Sequence, residues 1–167
     1  MQVEIVKEQV CDQIFVRWPS GQKVETRFPK KGPIPHDAVH LIVEQELGLT
    51  KGFWGLVAAG LLPEAIQEMA KAGGHASASR CVVPDDDIVE LIQAERLVEC
   101  FESEFWGEPG DAATLHSVAQ AACASSHAAL PPLSDAVIAQ IRTRMAALKA
   151  DWLALPTGQS MVFDWHG

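Results

Sequence analysis

The sequence predicts an α+β fold, a small antiparallel sheet from an N-terminal hairpin plus a C-terminal strand, packed against a bundle of about five to six helices. Three observations carry that prediction. Runs rich in Val, Ile and Phe with period-two alternation occur near the two ends of the chain, where strands are expected. From His36 to about Leu155 the pattern is helical, and Gly and Pro divide it at recognisable stops. No internal repeat of fixed period and no linker-like change of composition interrupts it, so residues 1–167 read as one domain.

The elements follow in order. Val3 to Val6 and Gln13 to Trp18 are strand-like, and the second run meets Val24-Glu25-Thr26-Arg27-Phe28 across the turn Pro19-Ser20-Gly21-Gln22. In the returning strand Val24, Thr26 and Phe28 share one face while Lys23, Glu25 and Arg27 share the other, the alternation of a sheet with one wet side. Pro29, Pro33 and Pro35 end strand pairing. A first helix is predicted from Pro35 or His36 to Gly48, with proline suiting the first turn and glycine the position past the end. A second is predicted from about Thr50 to Gly60, and a third from Pro63 to Ala72, closed by Gly73-Gly74. The stretch from His75 to Arg80 has no apolar period and reads as a loop.

Pro84 and Asp85-Asp86-Asp87 open a long helix, where negative charge meets the positive end of the helix dipole. Its predicted buried stripe is Ile88, Leu91, Ile92, Val98, Phe101 and Phe105. An alanine-rich helix from about Asp111 to Ala128 follows. Ser134 is a good N-cap for the last helix, which runs to about Leu155 through Val137, Ile141, Met145, Leu148 and Trp152. The segment Gln159 to Trp165 alternates like a strand and is expected to pair with the N-terminal hairpin.

Composition narrows the function classes. Thirteen Lys and Arg stand against 22 Asp and Glu, a formal net charge of −9, which argues against nucleic acid as the partner. Arg27, Lys30 and Lys31 cluster, but three charges beside prolines give little field against the whole chain. Cys11, Cys81, Cys100 and Cys123 show no C-x-x-C spacing and are expected to be reduced. The N-terminal run is interrupted by acids and resembles no signal peptide, so a cytoplasmic location is expected. The apolar stretch Gly52 to Leu62 is too short for a membrane span, which needs about twenty residues. A small molecule or a protein remains as the partner class.

One constellation suggests chemistry. In Pro35-His36-Asp37-Ala38-Val39-His40-Leu41-Ile42-Val43-Glu44, residues His36, His40 and Glu44 follow one another at i, i+4 steps in one slanting row. The helical wheel puts both histidines at the edge of the core stripe formed by Val39, Ile42, Val43 and Leu47, with Glu44 leaning toward water. Two imidazoles and a carboxylate could hold a divalent metal, Zn, Mn or Fe, and leave a position for a water that attacks an ester or amide. His36-Asp37-x-x-His40 is similar to the zincin H-E-x-x-H, with a shorter Asp37 where the general base should stand. His36-Asp37 is also similar to the HD phosphohydrolases, but His36 is the first histidine of the chain and the hairpin conflicts with their all-helical fold. A purely architectural reading competes: histidines near a helix start cap or pack, and Asp37 suits the dipole. His116, Glu95, Glu99 and Glu102 are candidate ligands from other helices.

Other features have structural readings. Glu46 falls in the centre of the apolar stripe, so it is expected to be buried and paired with Arg17, Arg27 or Arg96. Lys51-Gly52-Phe53-Trp54-Gly55 has the outline of a nucleotide clamp but reads better as packing. Trp18, Trp54, Trp106 and Trp152 could line a pocket, although large aromatics are commoner as core. Cys123, Ser125, Ser126 and His127 lie on one helix without a nucleophile elbow.

The segment from Phe28-Pro29 to Gly60, with its PHD-x-x-H helix, Val43-Glu44, Leu47-Gly48-Leu49 and Gly52-Phe53-Trp54-Gly55-Leu56-Val57-Ala58-Ala59-Gly60, resembles a family of small uncharacterised bacterial proteins that share an N-terminal β-hairpin and a GFWG segment. The resemblance implies a bacterial origin and a shared site or shared core around His36 and His40, with no established activity attached. Two functions of different class follow from the sequence. The first, which the sequence favours, is a small-ligand-binding or protein-interaction domain without catalysis. The second is a metal-dependent hydrolase with His36, His40 and Glu44 as ligands.

Overall fold

The computed structural model describes residues 1–73 and 83–166; the expectations for Gly74, for His75 to Arg80 and for Cys81 fall outside them. Four strands, β1 (Gln2–Val6), β2 (Cys11–Arg17), β3 (Lys23–Pro29) and β4 (Ser160–Asp164), form one antiparallel sheet in the order β3-β2-β1-β4. Register follows the alternation. Val3 faces Val16 and Phe163, while Ile5 faces Ile14 and Met161, so one row of apolar side chains crosses the sheet. Val3, Ile5, Ile14 and Val16 are all but inaccessible, each burial favouring the fold by about 1.5–3 kcal/mol. The C-terminal strand closes the sheet as expected, and Trp165 N–H donates to the Met1 carbonyl at 2.8 Å.

Among the described residues six α-helices share one core with the sheet: α1 (His36–Leu47), α2 (Phe53–Ala58), α3 (Pro63–Ala72), α4 (Val89–Ser103), α5 (Ala112–Ser125) and α6 (Asp135–Ala154). Their ends are set by local chemistry. Gly48 stops α1 in the left-handed conformation, φ 64°. Asp111 accepts from Thr114 N–H at 2.7 Å to start α5, and Ser134 accepts from Val137 N–H at 3.3 Å to start α6. No described helix is long and apolar enough to cross a membrane.

Several boundaries differ from the expectation, among them the end of the long helix, which stops at Ser103 before a 3-10 turn over Glu104–Trp106. The second helix begins at Phe53 rather than near Thr50, because Gly52 is extended and the first turn is capped from another helix, as shown below. Asp86–Ile88 forms a separate 3-10 turn before α4. Helix α5 ends at Ser125 because His127 turns left-handed, φ 55°, and Ala128 N–H reaches back to the Cys123 carbonyl at 3.1 Å.

Helix α1 is the centre of the molecule. It packs on α4, α6 and α2, and every residue from His36 to Glu44 except Asp37 is buried. Its polar side chains in that span must therefore find partners inside the protein.

Candidate metal centre

Pro35 ends the preceding coil in an extended conformation, so α1 begins at His36, and His40 lies one turn further on the same side. The two rings meet edge to face, centroids 4.7 Å apart, with their Nε2 atoms 3.2 Å from each other. Helix α4 runs alongside and contributes two carboxylates seven residues apart, hence on one face. Glu95 Oε2 is 3.2 Å from His40 Nε2 and 3.8 Å from His36 Nε2. His36, His40 and Glu95 thus form a group whose donor atoms are close enough to hold a metal ion.

The far sides of both rings are anchored. Glu102 lies 3.0 and 3.1 Å from His36 Nδ1 through its two oxygens, and Glu44 Oε1 lies 2.9 Å from His40 Nδ1. A carboxylate only accepts, so each Nδ1 carries a proton and donates it. In the neutral rings both Nε2 lone pairs then point at the same small space, together with a carboxylate oxygen. Such an arrangement needs positive charge between the donors, supplied by a proton on one ring or by a metal ion. Four donors at 2.0–2.1 Å from a tetrahedral ion stand about 3.3 Å apart, close to the two shorter separations here. Carboxylates on the non-ligating nitrogens are the usual support of histidine ligands, since they fix the tautomer and aim the ring.

The electrostatics agree. Burial alone would push His40 down, but Glu44 and Glu95 outweigh it and raise its pKa to about 10. Burial also acts against the His36 imidazolium, and Glu102 and Glu95 overcome it, so His36 is raised too. Burial pulls the Glu95 carboxyl up, yet the hydrogen bonds from the two imidazoles hold it well below the usual carboxylate range.

The donors open into a cavity of about 530 Å³, within the size range of small-molecule sites. Glu95 is 23% exposed there, which gives the cluster access to solvent. Asp37 lines the same cavity beside the imidazoles, and its carboxyl is raised by burial, with His40, His36 and Lys31 offsetting part of the effect.

The sequence expectation for Glu44 is corrected. It does not lean toward water but is fully buried, with Oε1 on His40 and Oε2 accepting from the Trp54 N–H at 2.8 Å. The wheel assumed one wet face, whereas α1 is covered on all sides at this level. Glu44 therefore supports His40 from behind and caps α2 at the same time. Trp54 completes the link by donating Nε1–H to the Asp37 carbonyl at 2.8 Å. A Cβ on Gly52 would lie 2.5 Å from the Glu44 carboxylate, which explains the glycine and favours packing over a nucleotide clamp.

The other candidates separate clearly. Glu95 and Glu102 join the cluster. Glu99 points away and pairs with Arg96 at 2.7 Å, and His116 is exposed on α5. Glu46 is only partly buried, and its partner is Arg144 at 2.6 Å rather than Arg17, Arg27 or Arg96. Trp18, Trp54 and Trp152 are core residues, while Trp106 is exposed; none lines this cavity. One sequence signal could have singled out Glu95 and Glu102: both fall on the helical row of Leu91 and Val98, where a carboxylate must have a partner.

No protein-family model, no curated protein and no solved structure matches the chain.

Proposed function

We propose that the protein binds one divalent ion, Zn, Mn or Fe, through His36 Nε2, His40 Nε2 and Glu95 Oε2, and hydrolyses a small molecule held in the adjoining cavity. The observation that carries this reading is the pair of imidazoles anchored through Nδ1 by Glu102 and Glu44, with both Nε2 atoms directed at one point beside Glu95. Two imidazoles and one carboxylate suit these metals and leave further coordination positions open. His36, His40 and Glu95 line that cavity, so a metal ion held by them would supply Lewis-acid activation of water beside a bound carbonyl or phosphoryl group. In this assignment Glu95 takes the ligand position that the sequence suggested for Glu44.

Elemental analysis of protein purified without a tag tests the metal. One equivalent per chain is expected, lost in His40→Ala and in Glu95→Gln. Failure to retain any of the three metals after incubation would overturn the reading and leave the cluster as a proton-bridged ion-pair network joining α1 to α4. Hydrolysis is tested on the loaded protein with a panel of p-nitrophenyl esters and phosphates, before and after chelation. Metal uptake with no chelator-sensitive turnover would favour the other sequence reading, a ligand-binding domain without catalysis.

A further inference from the structure

The cavity lining combines two kinds of surface. His36, His40 and Glu95 line it together with an apolar set, Phe28, Phe53, Ile66, Ala70 and Leu91. Phe28 and Phe53 stand edge to face with centroids 6.1 Å apart, giving that set a fixed aromatic corner. Ile66 and Leu91 line the same cavity and are otherwise buried. The charged lining is mixed: Arg27, Lys31, His36 and His40 stand beside Asp37, Glu64 and Glu95, and Glu64 accepts a hydrogen bond from Thr26 at 3.2 Å.

We infer that the cavity takes a small acyl or aryl carbonyl compound, its oxygen-donor head at the His36–His40–Glu95 cluster and its apolar body along Phe28, Phe53, Ile66 and Leu91. The inference rests on the metal reading for the head and on the cavity walls for the body, so the two parts can fail separately. Each methylene moved from water onto this wall strengthens binding about fourfold, the equivalent of 0.8 kcal/mol.

The test is a homologous series of alkyl hydroxamates, from acetohydroxamate to octanohydroxamate, titrated by calorimetry into the zinc-loaded protein. All share one metal-chelating head and differ only in body length. Affinity is expected to rise about fourfold per added methylene until the cavity is full, then to level off. Ala70→Phe, which fills the cavity from α3, should bring that plateau to a shorter chain, and Leu91→Ala should move it to a longer one. Equal affinity along the series, or a plateau that neither variant shifts, overturns the inference while leaving the metal site intact. The same series of plain alkanols on metal-free protein separates the two readings. A chain-length dependence there, in protein that retains no metal, supports the wall and sinks only the metal; no dependence in either form sinks the wall.

Discussion

Helix α1 carries two carboxylates two residues apart, and they end in opposite circumstances. Glu44 is fully buried between His40 and the Trp54 N–H, whereas Glu46 is partly exposed and paired with a single arginine. On a helical wheel the order is reversed, with Glu46 in the apolar stripe and Glu44 beside water. The difference teaches that burial on this helix changes along the axis more than around it. Its first two turns are enclosed by α4, α6 and α2, and its last turn emerges. Polar groups in the enclosed part are retained only where they satisfy one another, and that is where the candidate centre lies.

The strongest test of the contrast is Glu44→Ala. It strands the His40 Nδ1–H and the Trp54 N–H inside the protein, and breaking a buried charged pair in this way costs about 3–5 kcal/mol. Urea unfolding of the metal-free protein should report a loss of that size. A loss no greater than that of Glu46→Ala would erase the distinction between the two ends of the helix.

Glu44→Gln sharpens it. The glutamine oxygen can still accept from Trp54, but its amide donates to His40 Nδ1 and so requires the ring proton on Nε2, where the metal needs a lone pair. The fold should survive and zinc affinity should fall by roughly 10- to 100-fold, the usual effect of losing a histidine's outer partner. Glu102→Gln should act likewise on His36. Unchanged zinc affinity in both variants would mean that the carboxylates hold the helices together and do nothing for the donors.

The pH dependence is the next effect in size. His40 is raised to about 10 from the ordinary 6.5, so in metal-free protein its contribution to stability is fully present below pH 6.5 and is lost as pH rises through 10. A metal ion must displace a proton from this ring, so zinc affinity should move the other way, rising about tenfold per pH unit for each proton released. Competition titrations between pH 6 and 8 measure that slope. A flat profile would show that no imidazole is deprotonated on binding, and the ligand assignment would fall.

The parts of the molecule legible in the sequence are those where one period suffices. Val24, Thr26 and Phe28 gave a sheet face, Met161, Phe163 and Trp165 gave a returning strand, and Pro35, Gly48 and Ser134 marked helix ends; all are found. The histidine pair was legible for the same reason, being local to one helix. Its third donor was not. The row it shares with Leu91 and Val98 marks Glu95 as inward-facing, unlike Glu99, which faces Arg96, but Glu95 reaches His40 across 55 residues of sequence and local spacing does not say which helix it meets. The start of α2 was hidden too, because the group that caps it is Glu44, ten residues earlier on another helix.

The other end of α1 should give the smallest response. Glu46 and Arg144 are 22% and 31% exposed, so water already solvates part of each charge and the pair is worth about 1 kcal/mol or less. A double-mutant cycle with Glu46→Ala and Arg144→Ala isolates that coupling, provided Gln45, which also accepts from Arg144 at 3.3 Å, is left in place. The coupling should shrink further in high salt, as expected for a pair reached by solvent. A salt-insensitive coupling of several kcal/mol would place Glu46 among the enclosed groups after all, and burial would then run around the helix, as the wheel has it, rather than along it.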